Sequence, residues 1–114
     1  VLSPTEVISL GNTAKAMVAD AVGAYRANDA QATWSIASRD TDLDEACREA
    51  SERAVRKLIV DDTSMHTDAE IEARLADVSR TLLTIRDIER VGDHSVNICA
   101  RTLYMIENDE GLIY

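Results

Sequence analysis

The stretch from Ile71 to Ile106 constrains this chain more than any other. Its apolar residues Leu75, Val78, Leu82, Ile85, Val96, Cys99, Leu103 and Ile106 recur at alternating three-and-four spacing, the period of one buried helical seam. Continuing the spacing from Ile85 calls for apolar residues at 89 and 92, and the sequence places Glu89 and Gly92 there. Asp93 follows one turn after Glu89 on the same face. A long helix thus carries an acid and a glycine where its core stripe should be, and the glycine costs about 1 kcal/mol of helix propensity relative to alanine. Close helix approach, or room for a ligand, is the expected reason.

The rest of the chain reads the same way. Ser3, Pro4 and Glu6 form a helix start in the manner of a capping box. A helix from about 4 to 27 follows, with the seam Val7, Leu10, Ala14, Met17, Ala21, Ala24, widened by Val18, Val22 and Tyr25. Asn28 and Asp29 mark a turn. A second helix, about 30 to 61, has the seam Ile36, position 40, Leu43, Cys47, Ala50, Ala54, and position 40 is Asp40, with Asp44 one turn on. Asp61 to Ser64 break the pattern, His66 falls in the loop, and Thr67 with Glu70 caps a third helix of about 67 to 108.

With one proline, four glycines and 4% aromatic residues, the chain lacks the turn and strand chemistry of a sheet protein. Its 114 residues suit one domain with a modest core. Short connections make neighbouring helices antiparallel, so the expected fold is an all-α, antiparallel three-helix bundle. Trp34 is expected in the core or at a bundle end.

If the second turn is centred near residue 65, Asp40 lies 25 residues before it and Glu89 lies 24 after it, a mismatch of roughly 1.5 Å in height. The two seam interruptions are therefore expected to face each other. On the same count Cys47 and Cys99 stand roughly 24 Å apart along the axis, which suits buried free thiols and not a disulfide.

The net charge of −9 and the scarcity of lysine, which occurs only at Lys15 and Lys57, exclude binding to nucleic acid or an anionic membrane surface, since both need clustered positive charge. Such a surface also fits a high-salt cytoplasm. No run of about eighteen apolar residues spans a membrane, and no leader pattern opens the chain, so a cytoplasmic protein is expected. The start at Val1 suggests a piece of something longer.

Acids four residues apart occur at 40/44, 45/49, 68/72 and 89/93, about the number chance gives for 21 acids in 114 residues. Position separates them. Asp68 and Glu72 complement the dipole of a helix start, and Glu45 and Glu49 lie off the seam. Asp40/Asp44 and Glu89/Asp93 each put one member on a seam, and four converging carboxylates need protons, arginines or metal ions between them. Arg39, Arg86 and Arg90 are near enough in sequence for an ion-pair network. A carboxylate set equally suits hard or borderline cations. Both readings stand on the residues alone. His94 could join such a site from the side or lie on the surface, and Asn97, one turn beyond Asp93, could hydrogen-bond a carboxylate of the site or serve as an amide between helices.

Two segments carry a family resemblance. LTIRDIERVGDHSVNI from Leu83 to Ile98 resembles the "LERIGDHATNI" segment of the PhoU family, and ASRDTDLD from Ala37 to Asp44 resembles its "D..vD" segment; YRAND from Tyr25 to Asp29 resembles its first turn. The resemblance implies a three-helix repeat whose acidic motifs hold metal, with Asp40, Asp44, Glu89 and Asp93 as ligands and His94, Asn97, Arg86 and Arg90 around them. Iron, manganese, zinc, nickel or magnesium are the implied ions. It further implies a regulator that restrains phosphate uptake and starvation signalling through a transporter ATPase subunit and a sensor kinase, peripheral to membrane proteins. Family members of full length carry two repeats, and this chain has one, most similar to the C-terminal repeat. Similar repeats also occur attached to ion-transport proteins, and an apolar stripe left uncovered implies self-association into a homo-oligomer. The alternative is a helical interaction module without metal. A ferritin-type metal enzyme would need Glu-x-x-His motifs that neither acid pair supplies. No partnered nucleophile or glycine-rich phosphate loop points to catalysis.

Overall fold

In a computed structural model, which describes residues 4–60 and 67–113 and side chains within 5–60 and 67–108, the chain is all-α. Helix α1 spans Pro4–Ala27, α2 spans Ala30–Val60 and α3 spans Asp68–Ile113. They lie side by side, each in contact with the other two, in a rod of 73 × 17 × 16 Å. Ser3, His66 and the break at 61–64 lie outside the described residues.

The α1–α2 connection is as tight as a two-residue link allows. Asn28 takes a left-handed φ of 53°, which asparagine tolerates better than most residues. Its N–H donates to the Tyr25 carbonyl and that of Asp29 donates to the Ala24 carbonyl, the double closure of a Schellman motif. Asp29 then caps α2, its Oδ1 accepting from the Ala32 N–H at 3.1 Å. Asp29→Ala is expected to lower stability by about 1 kcal/mol, readable as a drop in Tm with the helices otherwise intact. At the start of α3, Thr67 Oγ1 accepts from the Glu70 N–H at 3.2 Å, as the capping pattern requires.

The core follows the seams on α1 and α2. Ala14, Met17, Ala21 and Ala24 are buried on α1, and Ile36, Leu43, Cys47, Ala50 and Ala54 on α2. On α3 the seam departs from the expected one. Beyond Gly92 the buried positions are Ser95, Cys99 and Thr102, whereas Val96 and Leu103 are half-buried and Leu75 is exposed. The seam keeps its three-and-four spacing but changes chemistry. Ser95 Oγ donates to the Gly92 carbonyl at 2.6 Å and Thr102 Oγ1 to the Ile98 carbonyl at 2.9 Å, so each hydroxyl is satisfied within its own helix. Thr33 on α2 does the same with the Ala30 carbonyl at 2.5 Å.

Trp34 is 67% exposed, so of the two expectations for it the core position is overturned. Val22 and Tyr25 are exposed and do not widen the α1 core stripe. Cys47 and Cys99 are buried free thiols.

Candidate metal centre

Where α2 meets α3, the deciding residue is Gly92. A Cβ at this position would lie 2.7 Å from Leu43 Cδ2 and 3.0 Å from Asp40 Oδ1. The absent side chain therefore lets α3 close on the turn of α2 that carries Asp40 and Leu43. Of the two expected reasons for the glycine, close helix approach is the one this contact bears out.

That contact sets the register. Gly92 packs against the turn of α2 that runs from Asp40 to Leu43, so the contact lies beyond Glu89, the residue that the height count pairs with Asp40. The consequence is that Asp40, Asp44 and Asp93 each offer one carboxylate oxygen within 4.8 Å of the others. Glu89 stays outside this trio. It is half-buried, and its charge bears on Asp40 and on Cys47.

The cluster is electrostatically uncompensated. Asp40 is half-buried while Asp44 and Asp93 are exposed. Burial, followed by the charges of Asp44, Asp93 and Glu89, raises Asp40 from 3.8 to about 6. Asp44 is raised by burial and by Asp93, and Glu89 by burial, Asp44 and Asp93. The Cys47 thiol beneath is pushed up to about 11 by burial and then by Glu89, Asp44 and Asp40, which keeps it protonated. Every one of these influences acts against ionisation.

Arginine does not supply the missing charge. Arg39 reaches away to Asp20 on α1, at 2.6 Å, and Arg86 and Arg90 are exposed. Among the described residues, no basic side chain is ion-paired to Asp40, Asp44, Glu89 or Asp93. His94 and Asn97 are also exposed, and no described hydrogen bond ties either to the carboxylates.

Asp40 Oδ1 is the sharpest feature. It is buried and accepts no hydrogen bond. An ionised carboxylate oxygen has acceptor capacity alone, so a buried one without a donor is costly unless a cation or a proton meets it. The donor set is all oxygen, which fits a hard or borderline cation such as magnesium, manganese or iron. The residues present thus fit a metal by donor chemistry, by spacing and by the orphaned oxygen.

Fold and site together define a class: an all-helical domain with a carboxylate cluster between two helices. The model of the PhoU domain family matches residues 7–102, and the chain belongs to this family. It is similar to proteins named phosphate-specific transport system accessory protein PhoU homolog. The one from Clostridium acetobutylicum is 25% identical over 101 residues, 89% of this chain and 42% of that protein. The one from Pseudomonas putida is 30% identical over 105 residues, 92% and 37%. Homolog 1 of Thermotoga maritima is 33% identical over 95 residues, 83% and 36%. The chain therefore spans about two fifths of the length of the curated relatives it matches. No solved structure matches it significantly. Among the described residues, no helix is long and apolar enough to cross a membrane.

Proposed function

We propose that this chain is a metal-binding regulatory domain of phosphate uptake, which negatively modulates a phosphate transporter and phosphate-starvation signalling and catalyses no reaction of its own. The family supports the phosphate assignment, since its relatives are named as accessory proteins of phosphate-specific transport. The metal half rests on one observation, the buried and unpartnered Asp40 Oδ1 within a trio of carboxylates that lacks a basic counter-charge. Asp40, Asp44 and Asp93 would hold the ion, with Glu89 completing the set from one turn away. When bound, the ion supplies the positive charge that these carboxylates lack and so ties α2 to α3. Iron, manganese and magnesium suit the oxygen donors better than zinc or nickel.

The domain is one antiparallel three-helix repeat of a two-repeat protein in this reading. Support comes from two ion pairs that run in opposite order along α1 and α2, Glu6 near the start of α1 with Arg53 toward the end of α2 at 3.6 Å, and Asp20 toward the end of α1 with Arg39 nearer the start of α2 at 2.6 Å. Its place is the cytoplasm, at the ATPase subunit of the transporter and the sensor kinase.

Elemental analysis of purified wild type beside Glu89→Gln, with thermal melts of the stripped protein in added Mn, Fe, Zn, Ni or Mg, tests the metal. Wild type is expected to carry metal and to melt higher on reloading, and the variant to carry less. Wild-type protein that carries none and shows no shift with any of these ions defeats the metal half. A phosphate-starvation reporter tests the rest: Asp40→Asn and Asp93→Asn should leave it active in phosphate-rich cells, and full repression by both variants would count against regulation through this site.

A further inference from the structure

Two stripes of the surface converge on the carboxylate trio. On α2, Trp34, Ala37, Thr41 and Asp44 follow one another at three-and-four spacing. On α3, Asp93, Asn97, Ala100 and Tyr104 do the same. Asp44 and Asp93 bring carboxylate oxygens within 4.8 Å of each other, which fixes the foot of both stripes. Trp34 lies ten residues back from Asp44 and Tyr104 eleven on from Asp93. With α2 and α3 antiparallel, as proposed above, both aromatics therefore stand roughly 15 Å from the foot in the same direction, within about one turn of each other in height. They are the two most exposed aromatic side chains among the described residues, Trp34 at 67% and Tyr104 at 66%. Ala37 between the stripes' ends is half-buried, and Ala100 is exposed.

The upper part of this face is nearly free of charge. Residues 30–38 and 95–106 hold one charged side chain between them, Arg101, in a chain that is 29% charged, so the aromatics rim a neutral, small-residue surface. Tryptophan and tyrosine in such a setting are the side chains that anchor protein interfaces. The foot has the opposite character. Asp40, Asp44, Glu89 and Asp93 have no basic ion-pair partner among the described residues. We propose that this face seats a helix of a partner protein, which places one large apolar side chain between Trp34 and Tyr104 and a basic side chain, three turns along, toward Asp44 and Asp93. Charge complementarity selects this occupant: a cation at the foot meets unpaired carboxylates, and an acidic segment is repelled. A single divalent ion at the trio would lower the charge of the four carboxylates without cancelling it, so the docking does not rest on the metal reading.

Trp34 is the only tryptophan, so its fluorescence reads occupancy of the face directly. The probe is an alanine-based helical peptide with a phenylalanine at its centre and an arginine three turns to either side, which serves both directions along the groove. One twin carries glutamine for the arginines and a second carries alanine for the phenylalanine. Every titration runs in chelator, so a chain that binds no metal gives the same result. The parent peptide is expected to shift Trp34 emission to the blue, and each twin to bind about fivefold more weakly or worse. Tyr104→Ala is expected to weaken the parent peptide by a similar factor, and Asp44→Asn to shrink its advantage over the glutamine twin. Both side chains are exposed, so folding is not at stake, and circular dichroism checks it. No shift at the highest peptide concentration overturns the proposal, and so does a glutamine twin that binds as tightly as the parent. Phosphatidylcholine vesicles that shift Trp34 emission where the peptide does not would overturn it in favour of a lipid surface.

Discussion

Gly92→Ala is expected to reduce metal affinity by about 10–100-fold while leaving a folded three-helix protein. The added methyl would stand 2.7 Å from Leu43 Cδ2 and 3.0 Å from Asp40 Oδ1. Leu43 is buried and has little room to yield, so part of the strain passes to Asp40, whose oxygen leaves the position it shares with Asp44 and Asp93. Two terms oppose each other in stability. Replacing glycine inside a helix gains roughly 1 kcal/mol of propensity, and overpacking a tight contact loses roughly 1–3 kcal/mol. Overpacking wins, and the metal-free variant is expected to be less stable by up to about 2 kcal/mol. Gly23 provides the control: a Cβ there would meet nothing within 4 Å, so Gly23→Ala should stabilise by about 0.5–1 kcal/mol and leave metal affinity alone. Isothermal titration of the stripped proteins reads the affinities, and thermal melts read the stabilities. Unchanged affinity in Gly92→Ala would mean that Asp40 does not depend on that contact.

The helices and most of the core are legible in the sequence because apolar periodicity is their signal. Met17, Ala21, Ile36, Leu43 and Ile85 are all buried where the spacing puts them. The second half of α3 departs from its expected face for a reason that hydrophobicity hides. From Gly92 onward the seam runs through Ser95, Cys99 and Thr102, and following the greasier neighbours Val96 and Leu103 turns the expected face by one residue. Serine and threonine pass as core residues because their hydroxyls bond their own helix backbone, so burying them strands no donor. Strict continuation of the spacing through polar residues finds them.

The site is legible in its members and not in its register. Asp40 and Glu89 can be named as seam interruptions and Asp44 and Asp93 as the acids one turn after them, of which Asp40, Asp44 and Asp93 lie together, but counting outward from an assumed turn centre matches Asp40 to Glu89. Connections can shift two helices by a turn without leaving a trace in periodicity. The side chain missing at Gly92 fixes the actual height, and that is a steric fact between helices. Nor can sequence decide whether Arg39 neutralises the cluster, since Asp20 on α1 competes for it across a different interface.

Asp40→Asn is expected to act with opposite signs in the two states of the protein. Without metal, the folded chain holds Asp40 at about 6, above the ordinary 3.8, chiefly by burial and then by Asp44, Asp93 and Glu89. A carboxyl raised in the fold favours folding while it is protonated. That contribution is fully present below the ordinary value near 3.8 and is lost as pH rises through about 6. Stripped wild type should therefore melt higher at pH 5 than at pH 7, relative to a variant in which this group cannot ionise. The carboxamide of the variant is neutral at both values, so it removes that part of the slope and, at pH 7, stabilises the metal-free protein by on the order of 1–2 kcal/mol after allowance for solvent screening at a half-open site. The amide also brings donors that neighbouring carboxylates can accept. With metal the order reverses: wild type gains stability from ligation and the variant, lacking one anionic ligand, gains far less. Melts of both proteins in chelator and in excess manganese, at pH 5 and pH 7, give the four comparisons. A stripped Asp40→Asn that melts below wild type at pH 7 would show that the Asp40 charge is already compensated within the chain, and the case for a metal ion at this site would lose its foundation.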